Sequence, residues 1–147
     1  MSDPQALAER LVGAMLERDA FSRWLGVEVV ALGPATCTLR MRVRGEMLNG
    51  FGVGHGGIAY ALADSALAFA SNTHGTVTVS IENAIAYPAP VRAGDLLTAV
   101  AEEESAASRV AFYRVTVTNQ EGAAVALFRG TVYRTGKLHV QWEAAKE

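Results

Sequence analysis

The chain opens with apolar residues at helical spacing. They recur at every fourth position, at Leu7, Leu11 and Met15. Such spacing places them on one face of a helix. Asp3 stands where a capping residue is expected and Pro4 where the first turn begins. The pattern predicts a helix over about 4–24 that ends at Leu25 and Gly26.

The period then changes from four to two. Between positions 35 and 44, apolar and polar side chains alternate, with apolar ones at Ala35, Cys37, Leu39, Met41 and Val43. This alternation predicts a half-buried strand. Gly33 and Pro34 form a turn signal that joins it to a strand over 27–32 as an antiparallel hairpin. The solvated face of the second strand is predicted to carry Arg40, Arg42 and Arg44.

A glycine-rich segment precedes the most apolar part of the chain. Residues 45–57 include six glycines, which indicates a loop that bends sharply or approaches another group closely. The following segment is rich in alanine and leucine and predicts a helix over about 57–74, with Gly75 at its end. Because this helix is apolar nearly all round, we expect it to be buried on all sides.

The remainder of the chain has the pattern of β-strands. Runs rich in β-branched and aromatic residues cover 76–87, 95–104, 109–119 and 123–135, and turn signals separate them. Their short connections favour an antiparallel meander. The predicted fold class is therefore α+β in a single domain over 1–147, with a curved antiparallel sheet around the long central helix. The segment 136–147 is predicted to be a loose tail.

Composition excludes several classes of protein. The 147 residues are 50% hydrophobic, enough for one globular core, and 13 Lys and Arg against 15 Asp and Glu give no basic surface for nucleic acid. The apolar stretch 58–70 is interrupted by Asp64 and is shorter than the roughly 20 residues that a membrane span needs. The first residues lack the pattern of a secretion signal.

Cysteine and histidine usage narrows the chemistry further. Cys37 is the single cysteine, so no disulfide forms within the chain, and we expect it to be a small buried hydrophobe in a protein of the reducing cytoplasm. The three histidines have no i, i+4 pairing of the kind that binds zinc. We expect no metal site and no cofactor, with His74 near a helix end and His139 in the tail.

Asp64 is the first candidate for chemistry. A carboxylate among apolar neighbours is costly to bury unless it is hydrogen-bonded, paired or functional. Such surroundings are also those in which an acid or base is tuned. The alternative is that Asp64 lies with Ser65 on a narrow solvent-facing stripe, or bonds to nearby backbone.

The second candidate is the motif His55-Gly56-Gly57 at the start of the same helix. Backbone N–H groups at a helix N-terminus have no partners within the helix, and the helix dipole is positive there. A developing oxyanion would be stabilised at this end. The alternative is a simple turn into the helix, with His55 as a capping or packing residue.

The separation of these two candidates has a consequence for assembly. Asp64 follows Gly56 by eight residues, which is roughly 12 Å along a helix. Both cannot contact one carbonyl group from the same helix. If they share a reaction, Gly56 of one subunit must meet Asp64 of another in a symmetric dimer with two sites.

Taken together, these motifs resemble those of the hotdog-fold acyl-CoA thioesterases, in particular the phenylacetate-degradation branch. The matching positions are Asn49, His55-Gly56-Gly57, Leu62-Ala63-Asp64, Asn72, Ser80, Tyr87-Pro88 and Gly94-Asp95. They cover roughly residues 25–133. The resemblance implies a curved sheet around a central helix, subunits paired into dimers and, commonly, two dimers in a tetramer.

Position by position, the resemblance also implies roles. The backbone N–H of Gly56 would polarise the thioester carbonyl with help from Asn49, and Asp64 of the facing subunit would be the general base or nucleophile. His55 would orient Asn49 or its loop, and Ser80 would help to hold the water. Asn49 and Gly57 are the expected substrate-binding positions. The implied substrate is an acyl-CoA of the aryl or phenylacetyl type, and no cofactor is needed.

Two other functions remain open on the sequence. One is a hydratase or dehydratase of the same fold, although such relatives usually have proline after the histidine where this chain has Gly56. The other is an acyl-CoA-binding module without turnover. Contacts to the phosphates of coenzyme A are open among Arg92, Arg109 and Arg134.

Overall fold

Within residues 3–139, which the computed structural model describes, six antiparallel strands form one sheet and the longest helix packs against it. The helices are α1 (Pro4–Arg18), α2 (Ala20–Leu25) and α3 (Gly56–Ser71), and a short 3₁₀ turn covers Gly45–Met47. The strands are β1 (Glu28–Gly33), β2 (Thr36–Arg42), β3 (Thr76–Ala86), β4 (Leu96–Ala106), β5 (Val110–Thr118) and β6 (Ala124–Leu138). This is the predicted α+β hotdog architecture.

The order of the strands explains how α3 comes to lie across the sheet. The order is β1-β2-β4-β5-β6-β3, so the β1–β2 hairpin and the β4–β5–β6 meander are confirmed. The prediction that β3 continues into this meander is wrong, because β3 pairs with β6 at the far edge. The 16 residues of α3 span roughly 24 Å, enough to cross four or five strands. The chain therefore leaves β2, crosses the sheet as α3 and enters β3 at the opposite edge.

The predicted N-terminal helix is two helices. The chain breaks at Asp19, whose backbone leaves the helical conformation and whose side chain accepts a hydrogen bond from the Ser22 backbone N–H at 2.9 Å. An aspartate side chain stabilises a helix as its N-cap but not from its interior, which is why one helix over 4–24 does not form. α2 ends at Gly26 with φ of 80°, as predicted.

The C-terminal prediction is also corrected. Residues 136–138 belong to β6, and Leu138 pairs with Thr76. His139 is buried, donates its backbone N–H to Gly75 O and places its Nε2 2.7 Å from Asn72 Oδ1. These bonds anchor the end of β6, which was predicted to belong to a loose tail. Positions 140–147 of the predicted tail lie outside the described residues.

The predicted alternation along β2 is confirmed. Cys37, Leu39 and Met41 are fully buried under α3, whereas Arg40 and Arg42 are exposed. Burial raises the pKa of the Cys37 thiol to about 12, so it remains a protonated packing residue. Arg44 differs from the prediction because it follows the strand.

Arg44 instead holds the end of α2. Its guanidinium donates to Leu25 O and Trp24 O at 3.0 and 2.7 Å and lies 5.0 Å from the centre of the Trp24 ring. Carbonyls in the last turn of a helix have no partners within it, so a cation is favourable there.

Helix α3 is not buried on all sides. It starts one residue before the predicted 57–74 range and ends at Ser71 with Asn72 as its C-cap, so Gly75 does not end the helix as predicted. Most of its surface packs on the sheet, but one stripe is open or only half-buried, comprising Gly57, Tyr60, Ala61, Asp64 and Ala68. We call these residues the open stripe. Their spacing of three or four keeps them on one face, and Asp64 is therefore partly accessible.

Candidate active site

The loop before α3 is organised by Asn49. Its side-chain oxygen accepts hydrogen bonds from the backbone N–H groups of Phe51 and Val53, at 2.9 and 3.4 Å. Asparagine commonly closes turns in this way. Within residues 3–139, nothing accepts a hydrogen bond from the Asn49 Nδ2 group, so this donor is available to a ligand.

Gly54 fixes the loop against the segment that leads to β4. Its N–H donates to Val91 O at 2.6 Å, and a Cβ at this position would lie 2.7 Å from Val91 Cγ1. Only glycine allows the two backbones to approach so closely. The start of α3 is thereby held in a fixed place.

The N-terminus of α3 has one capped amide and one open amide. His55 is the N-cap, and its Nδ1 accepts from the Gly57 N–H at 2.9 Å. Tyr87 donates its hydroxyl to Gly56 O at 2.9 Å. In the described chain, the Gly56 N–H has no acceptor, and it points out of the positive end of the helix. We call Asn49 and Gly56 together the amide half-site.

His55 and Gly57 therefore have contacts that the resemblance did not specify. The His55 side chain bonds to Gly57, and no hydrogen bond joins it to Asn49 within residues 3–139. Because the Gly57 amide is engaged by His55, Gly56 is the donor that remains at this helix end.

Asp64 lies on the open stripe of α3, half-buried and eight residues from Gly56. Its pKa is raised, chiefly because burial disfavours the charged carboxylate, and the negative charge of Asp19 raises it further. The Asn83 side chain opposes this shift by donating to Asp64 Oδ1 at 3.4 Å. A carboxyl group in such surroundings is suited to accept a proton during a reaction.

Asn83 is the site residue that the sequence analysis missed. Its Nδ2 group lies 3.4 Å from Asp64 Oδ1, 3.1 Å from the Tyr60 hydroxyl and 3.5 Å from Ser80 Oγ. The available signal was a polar side chain at the alternate position between the apolar residues Ile81 and Ile85.

A β-bulge explains why periodicity could not find Asn83. Ser80 and Asn83 are three residues apart and would point to opposite faces of a regular strand. The register of β3 on β6 shifts between Ser80 and Glu82, and such a bulge reverses the alternation. Both side chains consequently come together beside Asp64. We call Asp64, Ser80 and Asn83 the acidic half-site.

A cavity of about 360 Å³ adjoins the acidic half-site. Asp64 and Ser80 line it, Met15 of α1 contributes to one wall, and His139 lies at the end of β6. Burial lowers the pKa of His139, which favours its neutral form at physiological pH. The cavity is large enough for a small acyl group.

The two half-sites are not joined within one chain. Gly56 is the first residue of α3 and Asp64 lies near its middle, roughly 12 Å away along the helix axis. Each half-site is therefore chemically incomplete by itself. This separation is a property of the helix, which no change of side-chain rotamer removes.

The arginines considered for coenzyme A lie in two places. Arg109 and Arg134 are beside the β4–β5 turn, where Arg109 donates to the Tyr133 hydroxyl at 3.3 Å and Arg134 to Ala107 O at 2.9 Å. Arg92 is exposed and follows Val91, which binds the loop of the amide half-site. Of the three arginines, Arg92 is therefore the one that adjoins the amide half-site.

Two further properties concern only the described part of the chain. Over residues 3–139, no group of three or more His, Cys, Asp and Glu side chains is arranged to hold a metal ion. In that same range, no helix has the length and apolar character to cross a membrane.

Known proteins with similar sequences and structures share this arrangement of elements. The Thioesterase superfamily matches residues 51–126. The chain is 37% identical over 123 residues to the acyl-coenzyme A thioesterase PaaI of Escherichia coli K12, covering 84% of this chain and 88% of that protein. It is also 30% identical over 119 residues to human acyl-coenzyme A thioesterase 13, covering 79% and 84% of the two chains.

Solved structures of other proteins are similar to this one. The E. coli PaaI protein from the phenylacetic acid degradation operon superposes with a TM-score of 0.90 at 34% identity, covering 92% of this chain and 99% of that one. A Streptococcus mutans protein bound to acetyl CoA gives a TM-score of 0.74 at 27% identity, covering 76% and 90%.

Proposed function

Since this chain belongs to the thioesterase superfamily, with a hotdog fold, we propose that it hydrolyses the thioester bond of an acyl-CoA to give the free acid and coenzyme A. The observation that carries the proposal is the pair of complementary half-sites. One offers an open backbone amide and the other a half-buried carboxyl group of raised pKa. Those are the parts that acyl transfer to water requires.

The proposed reaction uses groups of the protein and one water molecule. Gly56 N–H and Asn49 Nδ2 donate to the thioester oxygen, while Asp64 takes a proton as the water oxygen attacks the carbonyl carbon. Collapse of the tetrahedral oxyanion breaks the carbon–sulfur bond, and the thiolate receives the proton from Asp64. In this proposal Ser80, which lines the same cavity as Asp64, holds the water. Direct attack by Asp64 would give the same products through an anhydride that water then hydrolyses.

We infer that the complete site forms between two subunits. Gly56 and Asp64 cannot reach one thioester from a single helix, but two antiparallel α3 helices bring the Gly56 end of one beside Asp64 of the other. The open stripe supports this arrangement, because its small residues Gly57, Ala61 and Ala68 allow a second helix to approach closely. A tetramer of two such dimers is the proposed assembly.

The acyl group is proposed to be of the aryl or phenylacetyl type. Tyr60 on the open stripe meets Phe128 edge-on, with ring centres 5.3 Å apart, and such rings favour an aromatic ligand. The operon named for the E. coli relative is consistent with this class. Arg92 is the proposed contact for the phosphates of coenzyme A, and the reducing cytoplasm is the proposed location.

The function is tested by thiol release from a panel of arylacetyl-CoA and alkyl-acyl-CoA substrates. We expect turnover with a preference for arylacetyl groups, since the Tyr60 ring, whose hydroxyl accepts a hydrogen bond from Asn83 in the acidic half-site, offers an aromatic contact. An enoyl-CoA substrate is included to test hydration. Binding without release of thiol would indicate a binding module, and hydration without hydrolysis would indicate a hydratase; either outcome contradicts the proposal.

Mixing two inactive variants tests the shared site. Gly56→Pro removes the N–H donor, and proline suits the first position of a helix. His55 before it has φ −58° and ψ 136°, which the residue before a proline adopts readily. Asp64→Asn removes the base. Each variant alone is expected to be inactive, whereas an equal mixture refolded together should regain about a quarter of wild-type activity, because half of the dimers then hold one intact site of two.

The control for the mixture is the double variant, with both changes in one chain, refolded with wild type under the same conditions. If the site is shared, both sites of a mixed dimer in this control are broken, so only wild-type dimers are active and about a quarter of wild-type activity is expected. Sites contained within single chains would give about half. Activity from each single variant mixed only with itself must stay at background. A mixture that never exceeds the sum of its two components would exclude the shared site.

A further inference from the structure

We propose that Asn83 is a positioning residue for Asp64, whose side-chain amide holds the carboxyl group in place beside Ser80. The inference rests on the proposed function, in which Asp64 is the base or nucleophile. It concerns how that group is oriented and kept ready to accept a proton.

The contacts of the Asn83 amide place it at the centre of the acidic half-site. Its Nδ2 group lies 3.1 Å from the Tyr60 hydroxyl, 3.4 Å from Asp64 Oδ1 and 3.5 Å from Ser80 Oγ. The amide therefore links α3 to the bulged part of β3. An amide nitrogen has two hydrogens, so these three acceptors compete for them. If a water hydrogen-bonds to Ser80 instead, both amide hydrogens remain for Tyr60 and Asp64.

Gly130 provides the space that the Asn83 amide occupies. The two residues are paired across β3 and β6. A Cβ at position 130 would lie 2.9 Å from Asn83 Oδ1 and 2.5 Å from Leu67 Cδ2. Both distances are shorter than atoms tolerate, so the amide lies over Gly130 because that residue has no side chain.

The other end of the same amide shows that packing alone does not favour asparagine here. In the described chain, Asn83 Oδ1 is buried and has no hydrogen-bond partner. A buried acceptor without a donor is destabilising, whereas an apolar side chain at the position has no such penalty. The contacts of Nδ2 are therefore the feature that distinguishes asparagine from leucine at position 83.

The surroundings of Asp64 give the expected direction of a change at Asn83. Burial and Asp19, at the junction of α1 and α2, both raise the pKa of Asp64, while the Asn83 hydrogen bond lowers it. Tyr60 faces the network from α3, and His139 lines the adjoining cavity from the end of β6. Without the Asn83 amide, the pKa of Asp64 is expected to rise further, because the bond that favours the charged form is gone.

The test is Asn83→Leu, which fills the position without an amide. We expect the Asp64 carboxyl to titrate at higher pH than in wild type, followed by ¹³C NMR of substrate-free protein and assigned with Asp64→Asn. At pH 6, kcat/KM is expected to fall roughly tenfold, and the difference should narrow as pH rises. The melting temperature should stay level or increase, since an unpaired acceptor is removed.

Glu82→Gln is the matched control, because it changes an exposed neighbour on the same strand and should leave the titration unchanged. Asn83→Ala is the second variant, used if the leucine variant fails to fold. An Asp64 titration at the wild-type pH in the folded variant would overturn the inference, and a lowered melting temperature with that same titration would assign Asn83 a structural role. Absence of turnover in wild type would refute the proposed function, while the NMR titration would still decide this inference.

Discussion

Asp64→Asn is expected to lower kcat by about 10² to 10⁴, the usual contribution of a positioned base or nucleophile. An amide cannot accept the proton from water at neutral pH, yet it has nearly the same shape as the carboxyl group. The fold should persist, because Asp64 is half-buried and its side chain makes only one long hydrogen bond within residues 3–139, of 3.4 Å to Asn83. Thiol release under saturating substrate, with circular dichroism of both proteins, measures the two outcomes.

The pH profile provides a second measure of the same group. Burial holds the pKa of Asp64 above its usual value, and the base is active when ionised. In wild type, kcat/KM should therefore decrease as pH falls through that raised pKa, and this acidic limb should be absent from any residual activity of the variant.

Asp3→Asn is the matched control, because it makes the same chemical change at the N-cap of α1, where asparagine also caps well. Its activity should equal that of wild type. Hydrolysis near the wild-type rate by a folded Asp64→Asn protein would remove Asp64 from the reaction.

Phe69→Ala is expected to destabilise the protein by about 3 to 5 kcal/mol. The side chain is 1% exposed and lies on the buried side of α3, so its removal leaves a cavity between helix and sheet. A loss of this size is a large part of the 5 to 15 kcal/mol that is typical of folded domains. Urea unfolding monitored by circular dichroism gives the change in free energy of unfolding.

The same substitution at an exposed phenylalanine separates burial from residue type. Phe21 in α2 is 56% exposed, and Phe21→Ala should cost less than about 1 kcal/mol, chiefly its stacking on Trp24. Equal losses at the two positions would show that α3 does not pack against the sheet as described.

The sequence predicted those parts of the fold that depend on local pattern. The alternation along β2, the glycine at the end of α2 and the apolar composition of α3 are local signals, and they led to a helix packed on an antiparallel sheet. The position of β3 was not predictable in this way, because its partner β6 is 41 to 62 residues away along the chain. The division at Asp19 was missed because the apolar spacing continues across it.

The residues of the candidate site were likewise predicted only in part. His55, Gly56 and Asp64 were identified from a motif and from the cost of burying a carboxylate. Asn83 was missed because the bulge in β3 reverses the alternation between Ser80 and Asn83, and a bulge has no reliable signal in one sequence.

The order of the strands also determines when the acidic half-site can form during folding. The β1–β2 hairpin and the β4–β5–β6 meander join residues close in sequence, so little chain entropy is lost when they close. The β3–β6 pairing closes a much longer loop. We therefore expect β3 to dock late, so that Ser80 and Asn83 reach Asp64 after most of the core has formed. A kinetic intermediate with a native β4–β5–β6 meander would then lack a complete acidic half-site.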